Sequence, residues 1–236
     1  MGLDQFNNSN IMKTLMKLII VAVMLSITSA TYSQSIAVKA GLNLATMRER
    51  DDNSTYSNNF TLNPGFHVGA NVEFTIYKIL SLETGLFFLT KGYKSDYSLE
   101  ILDNTYHFKH KTNLYYIDLP ITLKLTFVIG KVKIFGSFGE YLGLGLFGNN
   151  KTDSPVLDDT NTDISWGSGD KDDLRRFDFG MTFNAGVEFY SIIIGACYDH
   201  GFANISAHSV SGYNIKNRVL GISVGYRFGM RKKTGL

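Results

Sequence analysis

Residues 176–189 alternate strictly in twos. Phe177, Phe179, Met181, Phe183, Ala185, Val187 and Phe189 fall on one face, and Arg176, Asp178, Gly180, Thr182, Asn184, Gly186 and Glu188 on the other. Successive side chains of a β-strand point to opposite sides, so a period of two marks a strand between two different environments. Residues 115–127 repeat the pattern. Tyr115, Ile117, Leu119, Ile121, Leu123, Leu125 and Phe127 stand against Tyr116, Asp118, Pro120, Thr122, Lys124 and Thr126. Near the end, Leu220, Ile222, Val224, Tyr226 and Phe228 stand against Gly221, Ser223, Gly225 and Arg227.

Five further segments carry the same period: 36–46, 66–76, 80–91, 132–147 and 192–199. In 132–147 the phase is imperfect, because Glu140 falls with Leu142 and Leu144. A β-bulge near Gly139 is expected to restore it. Eight strands result, and their connections alternate between long and short. The long ones are 47–62, 93–113, 149–173 and 201–216; the short ones are 77–79, 129–131 and 190–191.

Strand length decides which way the apolar face points. A tilted strand needs roughly 9–11 residues to cross a bilayer, whereas strands of soluble domains average about 5–6. The polar face carries Lys39, Glu73, Glu83, Asp118, Lys124, Arg176, Asp178, Glu188, Asp199 and Arg227 among small residues. Mixed charges between small residues suit the packed lumen of a narrow barrel. The chain also holds 23 Gly, 3 Pro, 17 Phe and 13 Tyr, which suits many strands with an aromatic girdle. The expected fold is all-β, an eight-stranded antiparallel up-and-down transmembrane barrel. Its short turns and both termini lie on the periplasmic side and its long loops outside. Eight strands leave a lumen that side chains fill, so a general diffusion channel is not expected.

Residues 1–33 are expected to be a signal-peptide region. Lys13 and Lys17 precede an apolar run over 18–25, and small residues follow. Residues 1–11 do not resemble the basic start of such a leader, which leaves both Met1 and Met12 open as the start. The barrel domain is expected over 35–229, with a short basic tail over 230–236.

Charge is nearly balanced, at 23 Lys+Arg against 21 Asp+Glu, and scattered, which argues against nucleic acid. The lone Cys197 excludes an internal disulfide and is expected to be a semi-buried strand residue. Residues 149–173 hold seven Asp and two Lys, a net charge of −5. Oxygen clusters suit hard cations, but the spacing fits no EF-hand, so a hydrated surface loop is expected. Trp166 within it is either a contact residue or a loop anchor. His107 and His110 have a metal-ligand spacing only if helical. His200 beside Asp199 suggests a Ser-His-acid constellation, yet no nucleophile elbow accompanies it. His67 is expected in the lumen. No catalytic, cofactor-binding or metal-binding residue is assigned.

The order and spacing of these segments resemble the PorT-like outer-membrane β-barrel family of Bacteroidetes. Residues 38–43, 116–124, 179–189, 198–205 and 218–228 carry the likeness. Glu140-Tyr141 departs from a common Pro-Tyr, and the chain continues past Phe228, where many such barrels stop. The resemblance implies an outer-membrane address but no single activity; some members are linked to a secretion system. The expected role is a non-enzymatic envelope structural, adhesion or secretion-associated component acting through its loops. The expected partners are outer-membrane lipid, the barrel-insertion machinery and envelope or secretion-system proteins. A lipid-modifying outer-membrane enzyme and a secreted, lipocalin-like soluble carrier are the alternatives.

Overall fold

The structure is a computed structural model that describes residues 34–101, 104–153 and 158–228. The leader expected over 1–33 and the tail over 230–236 lie outside these residues. Ten strands follow in order: β1 (Gln34–Arg50), β2 (Phe60–Thr61), β3 (Asn63–Tyr77), β4 (Leu80–Ile101), β5 (Asn104–Ile129), β6 (Val132–Asp153), β7 (Thr160–Asp163), β8 (Phe177–Phe189), β9 (Ile192–Gly201) and β10 (Asn214–Phe228). All pairings between them are antiparallel. Eight close into a ring, with β1 against β10 and β4 against β5; β2 and β7 are short additions along β4 and β6.

The register gives the barrel its tilt. Followed around the ring, Ile36 pairs with Val72, then Thr84, Ile121, Glu140, Met181, His200 and Arg218, and the path returns to β1 at Thr46. That stagger of ten residues over eight strands requires a strand tilt of about 40°.

The usual burial of side chains is inverted. Leu42 and Ile222 are 65% and 61% exposed, whereas Lys124 and Asp178 are 2% exposed. The apolar faces therefore point outward, as a lipid-facing wall requires. This removes the soluble-carrier alternative, whose apolar faces would line a core. Aromatic rings gather at both rims of the wall. Phe88, Tyr115 and Phe147 stack in a ladder at the outer rim, with ring centroids 6.0 and 4.5 Å apart. Phe189 with Tyr190, and Tyr226 with Phe228, meet edge-to-face at the periplasmic rim.

Two-residue turns join β3 to β4, β5 to β6 and β8 to β9 at one end. Gly130 adopts φ +61° in the second of these, a conformation suited to a tight hairpin.

The structure departs from expectation in three places. Residues 93–113, read as a loop, are mostly strand: β4 continues to Ile101 and β5 begins at Asn104. The acidic segment 149–173 is likewise partly strand, in the end of β6 and in β7. There is no bulge at Gly139, because β6 pairs without interruption through Ser137, Gly139 and Glu140. The register shift lies further out, where Tyr115 pairs with Phe147 but Tyr116 with Gly145. Glu140 consequently stays in phase with Phe138 and Leu142 and is exposed on the outer wall.

Candidate functional site

The lumen is built in layers. At the periplasmic end seven side chains alternate in sign along one chain of ion pairs. Lys133 meets Glu188 at 2.7 Å; Arg227 bridges Glu188 and Glu73 at 2.7 and 2.8 Å. Lys124 bridges Glu73 and Glu83 at 2.8 and 3.0 Å, and Lys39 ends the chain on Glu83 at 3.1 Å. Seven of the eight ring strands supply one group each: β1, β3, β4, β5, β6, β8 and β10. The alternation compensates each buried charge by a neighbour of opposite sign.

Further out a second layer is centred on Lys91. Its ammonium lies 2.8 Å from Asp118 and 2.9 Å from Asp178. It also sits over the rings of Tyr116 and Tyr141, 4.6 and 4.4 Å from their centroids. Tyr141 Oη and Asn217 Nδ2 both donate to Asp178 Oδ2. Between the two layers is a cavity of about 90 Å³ lined by Lys39, Glu83, His67, Cys197, Asp199 and Thr182 among others. His67 Nδ1 lies 2.6 Å from Asn43 Oδ1. The Asn43 amide donates to the carbonyls of Phe66 and Thr90, so its oxygen is the acceptor and His67 the donor.

Above Lys91 the outer mouth is closed by an apolar plug. Ile164 and Leu174 from the β7–β8 connection, and Ala203 and Ile205 from the β9–β10 connection, pack with Met47, Leu89, Leu114 and Tyr116. The two connections bind each other, with Arg175 N donating to Ile205 O and Ala207 N to Asp173 O. Trp166 anchors the plug. It meets Tyr116 edge-on at 5.7 Å and lies so close to Gly145 that a Cβ there would come within 2.3 Å of the indole. Of the two roles open to Trp166 in the sequence, anchor is the one observed.

Arg176, expected among the lumen charges, lies at the mouth; it donates to the carbonyls of Gly145 and Leu146 and covers Trp166. Asp172 and Asp173 cap turns, accepting from Gly169 N, Ser165 Oγ and Ser165 N. Among the described residues no group of three or more acidic, His or Cys side chains is placed to hold a metal ion. His107 and His110 lie on a strand, so the helical spacing that would join them is absent. His110 bonds Thr152 and Thr112, and burial holds its imidazole below the usual range. Asp199 and His200 are neighbours on β9 and face opposite ways: Asp199 lines the lumen cavity, while His200 contacts Tyr198 and Phe202 on the outer wall. The proposed acid–His pair therefore does not form. Sequence reasoning missed Lys91, the hub of the second layer. Its signal was its phase, which it shares with Ser81 and Glu83.

Beyond the mouth β4, β5 and β6 rise as a sheet widened by β2 and β7. On one face Phe60 stacks on Tyr93 at 3.8 Å and Tyr97 on Phe108 at 5.2 Å. On the other, Lys94, Lys111 and Lys151 stand directly opposite one another across three strands.

The family model for the outer membrane protein beta-barrel domain matches residues 32–207. No curated protein matches the chain. Among solved structures, Neisserial surface protein A is similar at 14% identity, covering 84% of this chain and 99% of its own, with a TM-score of 0.42. OprG of Pseudomonas aeruginosa is similar at 11% identity, covering 84% and 98%, with a TM-score of 0.42. The attachment invasion locus protein Ail of Yersinia pestis is similar at 14% identity, covering 84% and 100%, with a TM-score of 0.36. A closed ring of eight tilted strands, an apolar outer wall and a charged lumen agree with the family match: the chain is an outer-membrane protein and belongs to the outer membrane protein beta-barrel domain family.

Proposed function

We propose that this barrel is a non-enzymatic component of the outer membrane that acts through the sheet it holds outside, in adhesion, envelope organisation or secretion, and not by conduction. One observation carries the reading. The lumen is filled by two ion-paired layers and an apolar plug, whereas β4, β5 and β6 continue past the mouth as a sheet with an aromatic face and a lysine-bearing face. The separation of Asp199 from His200 leaves the lipid-enzyme reading without its acid–His pair.

Within the family, the segments at 38–43, 116–124 and 218–228 favour the PorT-like branch, and with it a secretion-associated role. Residues 1–33 serve as the export signal in this reading, and the barrel-insertion machinery and envelope proteins are its partners.

The test is a trimmed protein in which an Asn-Gly turn replaces residues 94–111, which removes two lysines of the row and the Tyr97–Phe108 stack. Equal lengths are lost from β4 and β5, so the register below is kept. The trimmed barrel is expected to reach the outer membrane and show heat-modifiable migration, yet to leave cells as deficient in surface adhesion or protein secretion as cells lacking the whole chain. Full activity of the trimmed protein in both assays would refute the proposal.

A further inference from the structure

Glu140 stands on the lipid-facing wall of β6. Phe138 and Leu142 flank it along the strand, and Ile121 and Met181 flank it on the neighbouring strands. It is eight residues from Val132 at the periplasmic turn and seven from Phe147 in the outer aromatic ladder. It therefore lies near the middle of the wall, with roughly 15 Å of hydrocarbon on either side. Its carboxylate makes no ion pair or side-chain hydrogen bond among the described residues. Ionisable groups at this depth are unfavourable against lipid and almost always pair with another group.

The same outer wall carries a complementary group. Glu140 pairs in register with Met181, and Met181 with His200. Glu140 on β6 and His200 on β9 thus flank β8 symmetrically. The row climbs by roughly 6 Å from one to the other because the strands tilt, a height that the two side chains together can span. Four residues below, Gly136, Ala185 and Ala196 form a parallel row of small residues across the same three strands, which allows close approach of a second surface.

We propose that the β6–β8–β9 wall is an interface with a second copy of this chain, related by a two-fold axis along the membrane normal facing Met181, with Glu140 of each copy bonded to His200 of the other. Such an axis carries the β6 side of one barrel onto the β9 side of its mate, so a single self-complementary patch makes the contact twice. Both Glu140 side chains leave the lipid and meet a hydrogen-bonding imidazole.

Cross-linking in native outer membranes tests this in a Cys197→Ala background, which removes the lumen thiol. Met181→Cys is expected to give a product of twice the chain's mass, and Leu86→Cys, on the lipid face of β4, is not. Adding Glu140→Leu or His200→Leu is expected to cut the Met181→Cys product about tenfold or more, the equivalent of about 1.4 kcal/mol. Exchanging the two groups, with Glu140→His and His200→Glu together, is expected to restore it. Heat-modifiable migration checks that each variant is inserted, and Glu140→Gln replaces any Glu140→Leu protein that is not. Equal products from positions 181 and 86, a Met181→Cys product that ignores the Glu140 variants, or a product of another mass would overturn the proposal.

Discussion

Lys91 Nζ lies 2.9 Å from Asp178 Oδ2, with both side chains fully shielded from solvent and 87 residues apart in the chain. β4 and β8 are not neighbours in the ring, so this contact ties opposite parts of the barrel across its lumen. Lys91 also neutralises Asp118, which makes it, among the described residues, the single cation paired with these two buried carboxylates. Lys91→Met is expected to strand both and to destabilise the folded barrel by about 3–5 kcal/mol. Urea unfolding in detergent, followed by heat-modifiable migration, measures the change. Adding Asp118→Asn and Asp178→Asn to Lys91→Met is expected to recover most of the loss, because the two carboxylates that Lys91 paired are then neutral.

The plug depends on one aromatic side chain and one missing Cβ. Trp166→Ala removes the anchor, and Gly145→Val drives a side chain into the space the indole occupies. Both are expected to release the segment around 164–176 while leaving the barrel inserted. Trypsin added to intact cells then cleaves at Lys171, Arg175 or Arg176, where the parent protein resists.

The row Lys94–Lys111–Lys151 places like charges directly opposite each other across β4, β5 and β6, an arrangement that destabilises a sheet. Burial, and then the charges of Lys94 and Lys151, hold the Lys111 ammonium below its ordinary pKa. A folded-state value below the unfolded one means that the unfolded chain binds more protons between them. The stability of the outer sheet is therefore expected to rise as pH increases through the lowered value toward the ordinary lysine range. Lys111→Glu converts two repulsive pairs into attractive ones and is expected to stabilise the sheet by about 1 kcal/mol. Slower amide hydrogen exchange over 106–112 at neutral pH is the readout.

The spanning strands were legible because lipid and lumen impose opposite demands on alternate residues. Residues 115–127 and 177–189 carry that contrast without a break, and both are strands with the expected faces. Outside the bilayer the contrast disappears. Lys94, Ser95, Asp96, Lys109 and His110 carry no period of two, so the strand passes for a loop. Lys91 stands at that boundary, in phase with the lumen but next to the polar stretch. At Glu140 the opposite holds. An uninterrupted apolar wall requires a bulge at Gly139, whereas β6 keeps its register and presents the carboxylate to the outside. The roles of Trp166, Asp172 and Asp173 depend on how two distant connections meet at the mouth, which no local pattern encodes.

A membrane barrel whose lumen is closed is tested by current recording across a planar lipid bilayer containing the purified, heat-modifiable protein. The layers around Glu188, Arg227, Lys124 and Lys91, with the plug held by Trp166, predict that insertion adds no steady conductance in molar salt. Stable, uniform conductance steps from the unmodified protein would mean that an open path crosses these layers and would contradict the account.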